Sequence, residues 1–461
     1  MSQLPEKLLQ SLQSIEGFDR DAFVKVHASA EQVTSIRLNP LKNFDPEALG
    51  RYSDFEFQKV PWCRNGYYLT QRPSFTFDPL FHAGCYYVQE ASSMFLEQAL
   101  QQTLDLSKDV KILDLSAAPG GKSTHIQSLI TKNSLLVSNE VIRSRANILQ
   151  DNVVKWGSSN VVVTSNDPKS FGGLRNYFDA IVVDAPCSGS GLFRRDEQAI
   201  DQWSEKNVQL CSQRQQRILA DVWPSLKSDG VLIYSTCSYS KEEDECVLDW
   251  MLNDLAAESC ELTIDDRWNI DQVRSTAGAV AYRFWPYKLK GEGFFIGVVR
   301  KQQGGDKPGV EAKGKKKIEL VSNNEIPILR TWVSESAEAF VKMGNKVRAI
   351  PPKLLKDLNV LTDALHIVYF GTMIGEIIRD KLIPDHALAL SSLASQVLEK
   401  VDLDYDDAIA YLQRKDLKNV SVQSRGWQMV TYRRQALGWI NVLPNRINNY
   451  YPKELRILKD I

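Results

Sequence analysis

The chain has 461 residues, of which 43% are hydrophobic and 25% charged, and its formal net charge is -1 at pH 7. This composition excludes a disordered or fibrous protein, and the length exceeds what one hydrophobic core normally supports, so we expect two or three domains. The near-zero net charge argues against a nucleic-acid partner unless basic residues cluster locally.

The sequence shows no sign of a secreted, membrane-bound or metal-binding protein. Its first residues lack the pattern of a secretory signal, and its apolar stretches are too short or too interrupted to span a bilayer. The seven cysteines form no C-x-x-C pair and the five histidines are scattered, so no ligand set has zinc spacing. We therefore expect a cytoplasmic monomer with reduced thiols, no membrane partner and no metal.

We predict four parts in the chain: residues 1–95, 96–301, 302–317 and 318–461. Residues 1–95 form an α/β region that packs on a central sheet, and residues 96–301 form the main domain. In the main domain, short apolar runs alternate with amphipathic stretches, which predicts a doubly wound, Rossmann-like α/β fold with a mainly parallel sheet. The predicted strands are 110–115, 135–140, 160–164, 178–184, 231–236 and 294–300, and the main helices are 124–130, 142–156 and 205–226.

The first strand of this sheet ends in a loop of small residues, from Asp114 to Ser123. In a doubly wound sheet, ligands bind at the carboxyl ends of the strands, where small residues let the backbone approach them. A phosphate-binding P-loop is the competing interpretation, because Gly121, Lys122 and Ser123 fit its end. The glycine that a P-loop requires at position 116 is Ser116, which disfavours a nucleoside triphosphatase.

Acidic residues follow the next two strands. Glu140 stands where an acidic side chain reaches ribose hydroxyls in such folds, and Asp167 follows the third strand. Either residue alone could simply end a strand in solvent. Together with Asp114 they predict a nucleoside site.

Two cysteines follow the fourth and fifth strands, at the ligand edge of the sheet. Cys187 stands in an Asp-Ala-Pro-Cys run that begins at Asp184, and Cys237 stands in a Ser-Thr-Cys-Ser run. Carbon 5 of cytosine is a poor nucleophile, so a thiolate must first add to C6, and a base must later remove the C5 proton so that this thiolate can leave. The pair suits such chemistry. The other cysteines are predicted to be small buried hydrophobes: Cys63, Cys85, Cys211, Cys246 and Cys260.

A polar stretch and a basic tail follow the main domain. Residues 302–317 contain Gly, Pro and several lysines but almost no apolar residue, which predicts a solvated linker. Residues 318–461 have apolar runs of their own and are predicted to hold a small independent core. From Val420 to Ile461, seven basic residues stand against two acidic ones, so the tail is basic although the whole chain is not.

These motifs together resemble the Nop/Sun family of RNA 5-methylcytosine methyltransferases, over nearly the whole chain. The matching segments are 114–122, Asn139 and Glu140 with Arg145, Asp167, 184–189, 235–238 with Glu242 and Glu243, and 292–295. Ser116 replaces the more usual alanine or cysteine, and Tyr287 stands where a histidine is frequent.

The resemblance implies a cofactor, S-adenosyl-L-methionine, and a role for each site residue. Cys237 is the nucleophile on C6, Cys187 is needed for release, Asp184 contacts N3 of the flipped base, and Lys122 lies near the target nucleotide. DNA cytosine methyltransferases use the Pro-Cys cysteine as the nucleophile instead, and the second cysteine favours the RNA-type assignment. The implied cofactor pocket is lined by Ala118, Pro119, Gly120, Gly121, Lys122, Glu140, Arg145, Asp167 and Asp184.

The outer parts also resemble this family. Segments 35–40 and 84–93 resemble N-terminal motifs that pack beside the active site and contact substrate. Trp427, Trp439 and segment 448–453 resemble the C-terminal α+β PUA-like domain of the bacterial 16S rRNA methyltransferase F subgroup, which implies 16S rRNA or the small ribosomal subunit as the partner. We expect both tryptophans to pack in the core. The candidates for phosphate contacts are Arg433, Arg434, Arg446 and Lys453.

Two other functions stay open at this point. A tRNA 5-methylcytosine methyltransferase of the same family would share every catalytic residue. A non-catalytic ribosome-assembly protein would keep the fold and bind RNA, although the intact Cys187 and Cys237 count against it.

Overall fold

The computed structural model of the protein describes residues 4–29, 31–42, 44, 56–302, 318–334, 338–417 and 424–460. Nearly all of the predicted linker, 303–317, lies outside these described residues. In the described ranges, no helix combines the length and the apolar character that a membrane crossing requires.

The N-terminal part combines helices with a small antiparallel sheet. Its elements are α1 (Glu6–Leu12), α2 (Arg20–Ala28), β1 (Thr34–Leu38), β2 (Phe57–Lys59), β3 (Gly66–Leu69), α3 (Pro79–His82) and β4 (Tyr86–Val88). The strands pair in the order β2-β3-β1-β4. The predicted α/β character of this region is confirmed.

The main domain alternates strands and helices. Its elements are α4 (Leu96–Thr103), β5 (Lys111–Asp114), α5 (Gly121–Gln127), β6 (Leu135–Asn139), α6 (Arg143–Trp156), β7 (Val161–Thr164), β8 (Phe178–Asp184), α7 (Glu197–Gln202), α8 (Glu205–Val222), β9 (Leu226–Thr236), α9 (Glu245–Asp254), β10 (Ala257–Ser259), β11 (Asp271–Arg274), β12 (Val280–Phe284) and β13 (Phe294–Lys301). The predicted strands are confirmed, although β9 begins at Leu226 instead of 231. Helix α5 begins at Gly121, earlier than the predicted 124.

The C-terminal part adds two smaller sheets. Its elements are β14 (Glu319–Leu320), α10 (Ile326–Arg330), β15 (Ala339–Met343), β16 (Lys346–Ile350), α11 (Leu355–Ala364), β17 (Ile367–Phe370), β18 (Thr372–Ile378), β19 (Lys381–Pro384), α12 (His386–Leu390), β20 (Lys400–Leu403), α13 (Tyr405–Leu412), β21 (Gly426–Tyr432), β22 (Gln435–Leu443) and β23 (Arg446–Asn449). One sheet runs β14-β15-β16-β18-β19 and the other runs β20-β21-β22-β23.

The central sheet has five parallel strands in the order β7-β6-β5-β8-β9. Strands β13, β12 and β11 continue it antiparallel beyond β9. At the other edge, β17 pairs antiparallel with β7, so a strand from beyond the predicted linker completes the sheet. The inner strands are apolar runs buried on both faces, as parallel strands covered by helices must be.

Helices cover both faces of this sheet, which confirms the doubly wound fold. On one face, Ile126 of α5 and Leu149 of α6 pack into one hydrophobic cluster. On the other face, Leu219 of α8 and Val247 of α9 pack into a second cluster. The predicted helix 142–156 begins one residue later, at Arg143, and Ile142 precedes it as an exposed residue.

A buried arginine joins the N-terminal sheet to the main domain. The Arg37 guanidinium donates to Gln89 Oε1 at 2.9 Å, to Thr124 Oγ1 at 2.7 Å and to Gly121 O at 3.2 Å. It also lies 4.5 Å from the ring centroid of Trp156. Burial lowers the pKa of Arg37 to about 10, which still leaves it charged near neutral pH. Arg37 therefore fixes strand β1 against the first turn of α5.

The last sheet packs on the N-terminal sheet. Ile36 and Tyr86 share one hydrophobic cluster with Val430 and Ile440. Trp439 is buried and its indole N–H donates to Asp385 O at 2.8 Å, which confirms its predicted place in the core. The two ends of the chain thus meet in one packed interface.

Candidate active site

The site lies at the carboxyl ends of the parallel strands β5, β6, β8 and β9. Since these ends share one edge of the sheet, the predicted site residues that follow them approach each other. Asp114 ends β5, Glu140 follows β6, Asp184 ends β8, and Cys237 follows β9.

The loop after β5 is held in place by its neighbours. Gly120 has a φ of 119°, a left-handed conformation that favours glycine, and it precedes the first residue of α5. Arg145 donates to Ala118 O at 3.0 Å, and Asn152 donates to Pro119 O at 2.8 Å. Two side chains of α6 therefore fix the backbone of the predicted cofactor loop.

Asp114 is a buried carboxyl at the base of this loop. Its Oδ2 accepts a hydrogen bond from Ser123 Oγ at 2.6 Å. Its Oδ1 is buried and has no hydrogen-bond partner among the described residues. Burial raises the pKa of Asp114 to about 7, while the Ser123 hydrogen bond and the charge of Lys122 oppose this rise.

The two acidic residues that follow β6 and β7, both predicted to line the nucleoside site, differ in their surroundings. Glu140 is buried, its Oε1 accepts from Ile142 N at 2.9 Å, and its Oε2 lies 3.5 Å from Arg145 Nη1. Asp167 is exposed and accepts from Lys169 N at 3.0 Å. This contact is with a residue two positions along the chain, and it does not join Asp167 to Glu140 or Asp114.

Lys122 and Asp184 form an ion pair in the site. Lys122 Nζ lies 2.8 Å from Asp184 Oδ2, and Asp184 Oδ1 accepts from Ser235 Oγ at 2.9 Å. The Lys122 side chain is 11% exposed and that of Asp184 is 40% exposed. The ion pair joins the loop after β5 to the end of β8 and leaves one carboxylate accessible from solvent.

The two predicted catalytic cysteines meet. The Sγ atoms of Cys187 and Cys237 lie 3.1 Å apart, and both residues are half-buried. The hydrogen bond with Cys237, followed by burial, raises the pKa of the Cys187 thiol well above its usual value. A thiol that keeps its proton can donate S–H to a neighbouring thiolate, and two adjacent negative sulfurs are disfavoured.

A buried glutamate joins the loops that carry the two cysteines. Glu243 accepts from Ser188 N at 2.7 Å, from Ser188 Oγ at 2.6 Å and from Ser238 Oγ at 2.7 Å. Ser188 follows Cys187 and Ser238 follows Cys237, so one carboxylate holds both loops. Glu243 is one of the residues that match the family motifs, but the sequence predicts no role for it. The motif does not show which hydrogen bonds its side chain forms.

The same loops also approach through their backbones. Gly191 N donates to Cys237 O at 2.7 Å. A Cβ atom at Gly191 would lie 2.5 Å from Cys237 O and 2.6 Å from Gly293 O. Only glycine fits at this position, so the glycines that follow Cys187 serve the approach of the two loops.

The remaining cysteines agree only partly with the prediction of small buried hydrophobes. Cys63, Cys85 and Cys211 are buried, Cys260 is half-buried, and Cys246 is exposed. Cys246 contradicts the prediction because the buried face of α9 is formed by Val247, Leu248 and Met251.

One buried cluster was not expected from spacing in the sequence. Glu97 Oε2 accepts from Cys63 Sγ at 3.2 Å and lies 3.0 Å from His125 Nε2. Burial raises the pKa of Cys63 to about 12 and lowers that of His125 to about 4. Both side chains are therefore neutral near pH 7, and hydrogen bonds to Glu97 account for their arrangement.

Family models match three segments of the chain. The model for 16S rRNA methyltransferase RsmB/F matches residues 101–300, and that for the N-terminal domain of 16S rRNA methyltransferase RsmF matches residues 4–91. The methyltransferase RsmF PUA domain matches residues 398–457, which corresponds to the last sheet rather than to the whole of 318–461.

Relatives and solved structures agree with these matches. The ribosomal RNA small subunit methyltransferase F of Aeromonas salmonicida is 31% identical over 450 residues, which cover 91% of this chain and 90% of that protein. The protein of the same name from Vibrio cholerae is 29% identical over 440 residues, with the same coverage of both chains. A methyltransferase homolog from Pyrococcus horikoshii superposes with a TM-score of 0.52 at 28% identity, over 65% of this chain and 100% of that one.

The raised pKa of Asp114 predicts a pH-dependent contribution to stability. Since the folded-state pKa of about 7 exceeds the ordinary aspartate value of 3.8, the bound proton stabilises the folded protein below pH 4, and this stabilisation is lost as the pH rises to about 7. Asp114→Asn cannot lose this proton. The melting temperature of Asp114→Asn, compared with that of the wild type, should therefore increase as the pH rises from 4 to 7 and stay level above pH 7. The increase corresponds to up to about 4 kcal/mol in the free energy of unfolding.

Thermal unfolding followed by circular dichroism measures this difference, and Asp254→Asn, at an exposed carboxyl, is the control. A melting-temperature difference for Asp114→Asn that does not vary with pH would show that Asp114 is charged in the folded protein throughout this range.

Proposed function

Since the chain belongs to the family of ribosomal RNA small subunit methyltransferase F proteins, we propose that it transfers a methyl group from S-adenosylmethionine to carbon 5 of a cytosine in 16S rRNA. The observation that carries this proposal is the 3.1 Å separation of the Cys187 and Cys237 sulfurs beside the Lys122–Asp184 pair. The transfer runs through a covalent bond between Cys237 and C6 of the base.

The residues at the end of β5 fit the cofactor. The loop 118–121 lies at the sheet edge, Glu140 offers carboxylate oxygens to ribose hydroxyls, and Asp114 Oδ1 is a buried acceptor with no protein partner in the described structure. When bound, S-adenosylmethionine supplies a methyl group on a positively charged sulfonium. Arg145 supports the pocket by holding Ala118, and the exposed Asp167 is a further candidate for contact with the cofactor.

The cycle needs two different actions from the two cysteines. Cys237 adds as a thiolate to C6, which moves the electron pair of the C5–C6 double bond to C5. C5 would then take the methyl group, and the electron pair of the broken carbon–sulfur bond would stay on the departing sulfur as a neutral thioether. Once Cys237 is bonded to C6, the Cys187 thiol passes its proton to solvent and, as a thiolate, removes the C5 proton. The electrons of that C–H bond restore the double bond, and the C6–S bond breaks to return a thiolate to Cys237.

The surroundings of the sulfurs support this division of roles. The raised pKa of Cys187 keeps it protonated before the reaction, so its S–H can stabilise a thiolate on Cys237. Asp184 and Lys122 lie at the same sheet edge, where the Asp184 carboxylate can accept a hydrogen bond from N3 of the cytosine once N3 carries a proton, and Lys122 orients this carboxylate. Because the base must reach this half-buried site, the cytosine has to be unpaired or flipped out of a helix.

The RNA substrate is inferred from the outer parts of the chain. The matched N-terminal and PUA segments pack against each other and not only against the main domain. The names of the relatives favour 16S rRNA over tRNA, and the two sulfurs 3.1 Å apart favour an enzyme over a binding protein. We expect the protein to act in the cytoplasm as a monomer.

The two cysteines should give opposite results when each is removed. Cys237→Ala prevents addition to C6, so neither methylated product nor a covalent complex should form. Cys187→Ala allows addition and methylation but not release, so the protein should stay attached to its RNA. A denaturing gel with labelled 16S rRNA and S-adenosylmethionine shows the attached species as a slow band.

Cys246→Ala, at the exposed cysteine on α9, is the matched control and should keep full turnover. A slow band with Cys237→Ala and none with Cys187→Ala would reverse the two roles. Full turnover in both variants would rule out cysteine catalysis.

Glu243 should act as a positioning residue in this cycle, because it holds Ser188 and Ser238 without reaching the substrate itself. Glu243→Ala should lower kcat about 100-fold through misplaced sulfurs, with a KM for RNA that stays within about threefold. Glu243→Gln keeps one acceptor oxygen and should recover part of the loss. In the Cys187→Ala background, Glu243→Ala should also reduce the yield of the slow band.

Glu258→Ala, at an exposed carboxyl on β10, is the control for this series. If kcat fell only in proportion to the fraction of folded protein, and Glu243→Gln gave no recovery, Glu243 would contribute to stability alone.

A further inference from the structure

A cavity of about 350 Å³ lies where the N-terminal sheet meets the last sheet of the chain. We name it the junction cavity. The lining residues that matter here are Phe75, Phe77, Tyr86, Tyr405, Tyr432 and Arg433. Of the described residues that line it, none comes from β5, β6, β8 or β9, so it is distinct from the sheet edge that carries the two cysteines.

The two sides of the junction cavity are held together by direct contacts. The hydroxyl of Tyr405, at the start of α13, donates to Phe77 O at 3.0 Å. Ile36 and Leu80 from the N-terminal side and Tyr432 from the C-terminal side share one hydrophobic cluster. A packed interface on both sides makes the cavity a formed site rather than a gap between loosely joined domains.

Aromatic rings dominate the walls of the cavity. They come from both sides, Phe75, Phe77 and Tyr86 from the N-terminal part and Tyr405 and Tyr432 from the C-terminal part. Tyr405 is 41% exposed and therefore presents its ring to solvent at the mouth. Planar rings of this kind stack on nucleobases, and unpaired RNA bases are commonly bound in this way.

Two guanidinium groups lie on the aromatic walls. Arg433 stands 5.1 Å from the ring centroid of Tyr432, and Arg72 stands 5.4 Å from that of Phe75. Arg72 is exposed and Arg433 is half-buried, so positive charge lies beside a mainly aromatic cavity that also contains the half-buried Asp78. An apolar peptide side chain would pack against the aromatic walls but would not pair with the two guanidinium groups. A nucleotide would contact the walls with its base and the guanidinium groups with its phosphate.

The polar groups inside the cavity are already engaged with each other. Asp78 accepts from Leu80 N at 2.9 Å and from the Tyr86 hydroxyl. The Tyr405 hydroxyl is engaged with Phe77 O. With these donors in use, stacking rather than hydrogen bonding to base edges would supply most of the affinity, and the site would tolerate different bases.

We propose that the junction cavity binds one unpaired nucleotide of the RNA substrate, with its base between the aromatic walls and its phosphate against Arg433 and Arg72. This inference rests on the proposed function only in taking RNA as the substrate. The site would anchor the RNA at a second point, away from the cytosine that is methylated.

Binding of full-length protein to a 16S rRNA transcript, measured over a range of salt concentrations without S-adenosylmethionine, tests the proposal. Tyr405→Leu should weaken binding about 5- to 100-fold through loss of stacking, without changing the salt dependence. Tyr405→Phe keeps the ring, loses only the hydroxyl, and should bind like the wild type. Arg433→Gln should weaken binding and also reduce the slope of log affinity against log salt by about 0.7 for a single-stranded contact.

Lys108→Gln, at a side chain that is 77% exposed, controls for a general loss of positive charge. Unchanged RNA affinity in both Tyr405→Leu and Arg433→Gln would overturn the proposal and leave the cavity to an apolar group of a protein partner. Equal weakening by Tyr405→Phe and Tyr405→Leu would also overturn it, because the Phe77 hydrogen bond and not stacking would then be responsible. Methyl transfer is assayed separately, so failure of the proposed reaction remains distinguishable from failure of this site.

Discussion

The chemistry of the site depends on one buried carboxylate that holds two loops together. Cys187 and Cys237 follow the adjacent parallel strands β8 and β9, whose pairing sets Asp184 opposite Ser235, and their sulfurs lie 3.1 Å apart. Glu243 fixes the two loops in this arrangement by accepting from Ser188 and Ser238, with the backbone contact between Gly191 and Cys237 as a second constraint. Burial raises the pKa of Glu243, and the Ser188 and Ser238 hydrogen bonds oppose this rise. A carboxylate that is buried but fully hydrogen-bonded is costly to displace, which makes it a firm anchor.

The outer parts of the chain extend this constraint to the cofactor loop. Arg37 reaches from the N-terminal sheet to Gly121 and Thr124 in the first turn of α5, directly after the loop that begins at Asp114. Strand β17, from the C-terminal part, adds to the edge of the same sheet beside β7. The N-terminal sheet and the last sheet then close on each other around the junction cavity. The catalytic domain is therefore supported from both ends of the chain.

The sequence predicted those features of the structure that depend on residues close together in the chain. The apolar runs 178–184 and 135–140 predicted buried parallel strands, and the small residues after Asp114 predicted the ligand loop, because each pattern determines its own backbone. Cys187 and Cys237 could be placed at one edge, since parallel strands share their carboxyl ends. The pairing of β17 with β7 joins residues about 200 positions apart, and no local pattern encodes such a contact. For the same reason, the partners of Arg37 and Glu243 and the cluster of Cys63, Glu97 and His125 appear only in the folded chain.

In the proposed cycle Cys237, and not Cys187, bonds to C6 of the cytosine. Mass spectrometry of the wild-type protein stalled on RNA that contains 5-fluorocytidine tests this most directly, because fluorine at C5 cannot be removed as a proton and the covalent complex persists. Tryptic digestion places the two cysteines in different peptides, 176–194 with Cys187 and 228–241 with Cys237. We expect a methylated nucleotide adduct on peptide 228–241, whereas an adduct on peptide 176–194 would show that Cys187 is the nucleophile.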